Sequence, residues 1–501
     1  MIPAIEVPEC NRLVLHAMDV PNRKGKLMNR RISLLAVLTC ALVPTAFGQS
    51  TSLFDGCTNS SGAIAQKLVC QFPFSVGLYN NATALGATST TTPKAAVMAT
   101  IFNSAIATQV SQLPVSTATA GTILLYENGA YKTFNNQGPI LTDRPQTVGR
   151  NHVFLGASAS QYVFNSIDGQ SLGSLQFAYA RTAANGSTTF TTEQTKLAFR
   201  LNQFLIIATY GLTDRLDASV IVPIERISIG ASASEIDNWV VSGTNSFGPY
   251  LTTLPYTHGS ASGVGDVIFN LKYMVWNGSF KSKPANDPEG ASRPGRTSAS
   301  VGMNFREPFG DDLNLLGSGA FGINPYLVAS YVAKISPHAK IGYQWNGATE
   351  LNPSIVTTTT IGTSGVTINQ SAGPNQAMPG GMLYDIGADW AAKKKLTVAV
   401  DLMGNQYLNS TVLSVSQATI QLSSVLAGAG GCAASGTTAV PTLTCTSTTY
   451  DTKSFTINKL STGVKWNPTR DIVFSANLLT QLNNNGLRSR PVPQLGVSYK
   501  F

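Results

Sequence analysis

Twelve charged side chains stand in stretches that are otherwise apolar or small: Arg200, Asp217, Glu225, Asp266, Lys272, Arg306, Lys340, Asp385, Asp389, Asp401, Lys465 and Lys500. Enzymatic work would need them to be joined by a nucleophile, a base or a metal ligand at a useful spacing. No nucleophile-elbow spacing places a serine for attack. His152, His258 and His338 have no second ligand at metal-binding spacing. Gly317–Gly322 spells G-x-G-x-x-G, but a polar stretch precedes it and a strand pattern follows it, whereas a phosphate site needs strand, loop and helix. It reads as a flexible external loop. No catalytic residue, metal or cofactor is expected. The twelve charges can instead pair with one another or meet water. Both signs are present, so ion-pair networks are expected rather than one strong field.

The chain around these charges alternates. Leu216, Ala218, Val220, Val222 and Ile224 fall on one face of an extended segment, and Asp217, Ser219 and Glu225 on the other. Val267, Phe269, Leu271 and Tyr273 likewise oppose Asp266, Asn270 and Lys272. Ile341, Tyr343 and Trp345 oppose Lys340, and Val398, Val400 and Leu402 oppose Thr397 and Asp401. The last stretch sets Leu495, Val497, Tyr499 and Phe501 against Lys500. A period of two gives β-strands with one greasy and one wet face. Facing lipid, a mid-bilayer charge costs on the order of 2–4 kcal/mol; facing a lumen, it does not, so the twelve charges are read as candidates to line the lumen. On this reading, arginine at Val398 or Leu402 should harm the protein more than arginine at Thr397.

Many of these strands run long enough to cross a bilayer on a tilt. Tight connections, as at 211–215, 393–395 and 467–471, alternate with long polar ones, Ala233–Gly263, Glu307–Asn324, Asn346–Gly381 and Asn409–Ser454. Short turns on one side and long loops on the other mark membrane barrels. One connection, Asn277–Arg296, is long yet falls on the short-turn side. Tyr210, Trp276, Trp345, Trp390, Tyr407, Trp466 and Tyr499 lie near strand ends, where interfacial girdles are built. Lipid offers no partner for an unpaired edge, so the sheet must close. The expected fold is all-β: a closed antiparallel transmembrane barrel of 12 or 14 strands over residues 120–501, with a partly helical N-terminal extension. The doubtful strands are Thr122–Tyr126 and Tyr131–Phe134, while His152–Asn165 and Leu175–Arg181 are read as better-formed strands. A secreted sandwich would also alternate, but would not show this turn asymmetry or end on Phe501.

The 501 residues carry a formal charge of +9, thinly spread, with no basic cluster for nucleic acid. Met28 opens a secretory signal: Arg30 and Arg31, the apolar run Ile32–Val43, then Ala46-Phe47-Gly48 before a cut at Gln49. Residues 1–48 are thus read as an upstream extension plus signal peptide. Residues 49–119 form an N-terminal extension, with a helical pattern over Ala95–Leu113, that could plug the barrel or lie in the periplasm. Export favours disulfides, and the equal spacing of Cys57 to Cys70 and Cys432 to Cys445 predicts two local bridges.

An ordered series of short motifs then carries a resemblance. It runs through Gly138-Pro139-Ile140-Leu141-Thr142-Asp143-Arg144, Asn165-Ser166-Ile167-Asp168-Gly169 and Tyr210-Gly211-Leu212-Thr213-Asp214-Arg215. Leu315-Leu316-Gly317-Ser318-Gly319-Ala320 and Gly342-Tyr343-Gln344-Trp345-Asn346-Gly347 follow. From Gly138 to Phe501 the chain resembles the outer-membrane proteins grouped as "MetA-pathway of phenol degradation", distantly similar to long-chain fatty acid channels. The resemblance implies a bacterial outer-membrane channel, not an enzyme, for passive uptake of small hydrophobic or aromatic compounds. Its partners would be outer-membrane lipid, the solute, and the barrel assembly machinery, which recognises terminal strands that end as this one does at Phe501. The alternative is a structural or adhesive barrel binding external partners through the loops Ser354–Gln370 and Thr411–Tyr450.

Overall fold

The computed structural model describes residues 67–71, 102–113, 124–127, 130–133, 137–182, 188–240, 250–253, 256–278, 296–362, 365–393, 395–421, 432–437, 440–469 and 471–500. All of them belong to one compact unit, Thr51–Phe501. Twelve strands form the barrel wall. They are β1 Val153–Ile167, β2 Thr188–Gly211, β3 Leu216–Val240, β4 Val267–Gly278, β5 Arg296–Glu307 and β6 Gly322–Val332, then β7 Ile335–Asn346, β8 Gly381–Lys393, β9 Leu396–Gln421, β10 Val440–Trp466, β11 Ile472–Gln481 and β12 Val492–Lys500. Each pairs antiparallel with its neighbours in sequence. β12 returns to β1, Gln494 opposite Ser160 and Lys500 opposite Phe154, and so closes the cylinder.

Of the two strand numbers allowed by the sequence, twelve is the one observed. Leu124–Glu127 and Ala130–Thr133 pair only with each other. Leu175–Arg181, expected as a wall strand, is not a stave: Leu175–Thr182 pairs with the upper part of β2, where the wall has already passed β1. The connections expected as long polar loops are also partly strand. β9 and β10 run for 26 and 27 residues, against the roughly 9–11 needed to cross a bilayer. They rise as one hairpin above the wall. Ala348–Gly362 and Gly365–Ala377 form a second hairpin. Threonine, abundant in both, suits an extended pleated chain, so polarity here signals distance from lipid rather than lack of structure.

The greasy faces look outward. Phe204, Leu271, Val301, Leu327, Ile386 and Val400 are each 43–60 % exposed, an unusual fraction for large apolar side chains in a water-facing wall. The alternate strands that run toward the short-turn end finish on an outward aromatic: Tyr210, Trp276, Tyr331, Trp390, Trp466 and Tyr499. They form a girdle at the membrane boundary. Tyr407 departs from the expectation. It shares the parity of Thr397 and Asp401, is 1 % exposed, and stacks on Phe455 at 5.1 Å inside the barrel. Phe501 lies outside the described residues.

Thr397 corrects the expected tolerance of the wet face. It is fully buried and accepts a hydrogen bond from Gln137 N at 2.9 Å. Val400→Arg should therefore destabilise the barrel by about 2–4 kcal/mol through lipid exposure. Thr397→Arg should be at least as harmful through overpacking. Arginine at the exposed Gln161, paired with Asn202 high on the wall, should stay within about 0.5 kcal/mol of the parent. Midpoints of heat-modifiable gel migration would rank the three.

Candidate functional site

The lumen is obstructed at two levels. Near the short-turn end, residues 137–146 cross the barrel as a strap, every one of them buried. The wall grips this strap by its backbone. Lys465 Nζ donates to the carbonyls of Gln137, at 3.3 Å, and Pro139. Lys272 Nζ donates to the carbonyls of Arg144 and Gln146, both at 3.0 Å. Ser300 Oγ donates to Pro145 O at 2.5 Å. The Asp217 carboxylate accepts from Val148 N at 3.0 and 3.2 Å. Hydrogen bonds to charged groups contribute about 1.5–3 kcal/mol each, and breaking one here leaves a buried polar group without its partner. Strap side chains also reach their surroundings: Gln146 to Ser330 at 3.1 Å, Asp143 to Lys340 at 3.4 Å, and Gln137, which accepts from Asn467 Nδ2 at 3.5 Å.

Higher in the lumen, residues 102–110 are helical and wholly buried. Phe102, Ile106 and Val110 pack with the inward faces of β1 to β3, among them Tyr162, Phe164, Phe199, Leu201, Ile227 and Ile229. The outer half of the lumen is thus an apolar core. The helix is tied down at its end. Arg306 Nη1 donates to Ser111 O at 3.2 Å, Asn405 Nδ2 donates to Gln112 O at 3.2 Å, and Gln112 Nε2 donates to Pro379 O at 3.2 Å. An earlier stretch, Leu68–Cys70, is buried nearby; Lys67 pairs with Asp311 at 2.6 Å and Leu68 N donates to Asn314. Burial pushes the Asp311 carboxyl up, but Lys67 and Asn314 outweigh it and hold it below the usual range. Beside it, burial and the charge of Glu350 push Asp312 up to about 6.

Two networks fix the wall itself. His338 on β7 reaches across β8 to β9: its Nε2 lies 2.7 Å from Asp401 Oδ1, and Nδ1 lies 3.1 Å from Asp389. The residue on β8 between them in register is Gly387, which has no side chain to block the reach. The second network gathers Asp266. It accepts from Ser318 N at 2.8 Å, Ser318 Oγ at 2.5 Å and Gly310 N at 3.3 Å, with Arg306 Nε 3.7 Å away. These bonds fold the connection 308–321 inward, and Leu315, Leu316 and Ser318 are buried. The G-x-G-x-x-G run is therefore a pinned internal loop, not a flexible external one. Glycine suits it because Gly319 has φ +62° and a side chain on Gly317 would strike Asp266.

Between strap and helix lies a chamber of about 150 Å³. Seven of the twelve strands, β3 to β9, border it, together with Ser111–Leu113 above and Leu141 and Asp143 below. Ile221, Ile268, Leu383 and Met403 give it apolar wall. Asn270, Asn304 and Asn324 line up across β4, β5 and β6 as a hydrogen-bonded ladder on one side. Of the sequence-selected charges, Arg306, Lys340 and Asp385 reach this chamber. Asp217, Lys272 and Lys465 hold the strap, Asp389 and Asp401 hold His338, and Glu225 accepts from Gln203 at 2.8 Å. Arg200 is not inside: it is exposed on the face shared with Asn202 and Phe204, opposite Ser228. Lys500 lies at the end of β12, with its backbone opposite Phe154. Cys70 is disulfide-bonded. Cys57 lies outside the described residues, and Cys432 and Cys445 stand opposite each other in backbone register.

Among the described residues, no group of three or more His, Cys, Asp or Glu is placed to hold a metal ion. The profile of the family described as "Putative MetA-pathway of phenol degradation" matches residues 142–412. The chain belongs to this family. It is an outer-membrane β-barrel, and its outward apolar belt suits a hydrocarbon surround. Matching solved structures include an outer membrane channel from Pseudomonas putida F1, at 11% identity over 71% of this chain and 98% of that one, with a TM-score of 0.34. The Ralstonia pickettii toluene transporter TbuX matches at 11% identity over 77% and 97%, TM-score 0.31. A Pseudomonas aeruginosa FadL homologue matches at 8% identity over 71% and 92%, TM-score 0.29. No curated protein matches the chain.

Proposed function

We propose that the barrel passes small, mainly apolar solutes of about one ring passively across the outer membrane. The chamber carries this reading. Its volume is close to that of a cavity that holds a single benzene-sized molecule, roughly 150 Å³. It lies between strap and helix, so a solute moving along the barrel meets one obstruction, the chamber, then the other. The strap and the helical tail would have to shift for passage, the strap against its hydrogen bonds to Lys272, Lys465 and Ser300 and the tail against those from Arg306 and Asn405. Membership of a family named for phenol degradation agrees with a solute of this class.

The test is uptake by intact cells of a Gram-negative host whose lipopolysaccharide leaflet resists apolar solutes. Cells expressing the protein should take up radiolabelled toluene several-fold faster than vector controls and should gain no permeability to a disaccharide. Equal toluene uptake with and without the protein would overturn the channel reading and favour a structural or adhesive barrel.

A further inference from the structure

Of the two carboxylates bordering the chamber, Asp143 is met by Lys340 and the other, Asp385, has no donor among the described residues. Buried wall carboxylates elsewhere are met by protein groups: Asp217 by Val148 N, Glu225 by Gln203, Asp266 by Ser318 and Gly310, and Asp389 and Asp401 by His338. Asp385 is also nine-tenths buried and lines the chamber, yet among the described residues nothing donates a hydrogen bond to it. Lys340 stands directly opposite on β7 and would be the obvious partner. Its ammonium points elsewhere, 3.4 Å from Asp143 on the strap and 4.3 Å from the ring centre of Tyr326. The Asp385 oxygens open onto the chamber rather than onto a donor among the described residues, so an occupant of that space can supply one.

We propose that Asp385 is the specificity-determining residue of the chamber, accepting a hydrogen bond from a hydroxyl or amino group on an otherwise apolar, single-ring solute. The inference rests on the channel reading and narrows its substrate class. The other charges facing the chamber do not compete for that donor. Arg306 and Lys340 are donors, and Asp143 is engaged by Lys340. Leu383 on the same strand and Met403, opposite Asp385 in register, give the ring an apolar seat beside the carboxylate. A site built to hydrogen-bond a polar group discriminates against the analogue lacking it far more strongly than an apolar pocket discriminates by size.

The experiment compares benzyl alcohol with toluene, one bearing a donor and the other not, by initial uptake into cells expressing the full chain. The parent should favour benzyl alcohol. Asp385→Leu should lower the ratio of benzyl alcohol to toluene uptake about tenfold, the scale of one hydrogen bond to a charged group. Asp385→Asn, which keeps an acceptor oxygen, should retain most of the preference. A ratio unchanged in Asp385→Leu, or a parent that favours toluene, would overturn the proposal; the second outcome is read on the parent alone, should Asp385→Leu fail to assemble. Neither solute exceeding the vector control would instead sink the channel reading on which it rests.

Discussion

A chain that begins at Gly149 behind a heterologous signal peptide should still insert as a barrel, and should conduct ions where the full-length protein seldom does. All twelve wall strands lie C-terminal to this point, since β1 begins at Val153. The truncation removes the strap and the lumenal helix together. It strips Lys272, Lys465 and Asp217 of their backbone partners, but it also floods the lumen, so these charges gain water in exchange. The apolar core around Tyr162, Phe164 and Ile227 fares worse, because it loses Phe102, Ile106 and Val110 and is wetted. Lower thermal stability is therefore expected alongside the open lumen. Conductance in planar bilayers should rise at least about tenfold, because a pore carries ions according to its unobstructed constriction. A truncated barrel that migrates as folded yet conducts no better than the parent would show that the obstruction lies in the wall and its inward loop 308–321.

The wall could be read from the chain because a membrane barrel writes its facing into alternate residues. Val398, Val400 and Leu402 opposite Asp401 are legible as an outward and an inward set, and the positions of tight turns follow. The lumen was far less legible. Along β1 to β3 the inward set includes Tyr162, Phe199, Leu201 and Ile227, which are apolar because a helix packs on them. Both faces of those strands are then greasy, and the period-two signal that located the wet face elsewhere disappears. Arg200 illustrates the result: a charge amid apolar neighbours reads as inward, yet it sits exposed on the outer face beside Asn202 and Phe204. The strap was harder still. Lys272, Lys465 and Ser300 hold it through backbone carbonyls, which any residue supplies, so Gly138–Arg144 carries no alternation that announces where it lies. Its two prolines and lack of alternation say only that it is not a stave.

Gly387→Ala should be among the most damaging single-atom additions in the wall. A Cβ at this position would strike the Asp401 carboxylate and come within 2.6 Å of both His338 Nε2 and the Val400 carbonyl. The first two are locked in a bridge and the third is backbone, so none can swing aside. At Gly302, by contrast, the obstructing group is the ring of Tyr326, and at Gly347 the nearest atom is 3.4 Å away, an ordinary contact. Forcing His338 off Asp401, which is fully buried, leaves a buried charge without its counterpart, at a cost of about 3–5 kcal/mol. Gly347→Ala should shift stability by less than about 1 kcal/mol. Midpoints of thermal unfolding in detergent, read as loss of heat-modifiable migration, would measure both. Asp401→Asn added to Gly387→Ala should recover part of the loss, because the amide removes the buried charge the alanine has stranded. A double-mutant cycle with no coupling between the two sites would mean that the glycine serves strand packing alone and not the reach of His338 across β8.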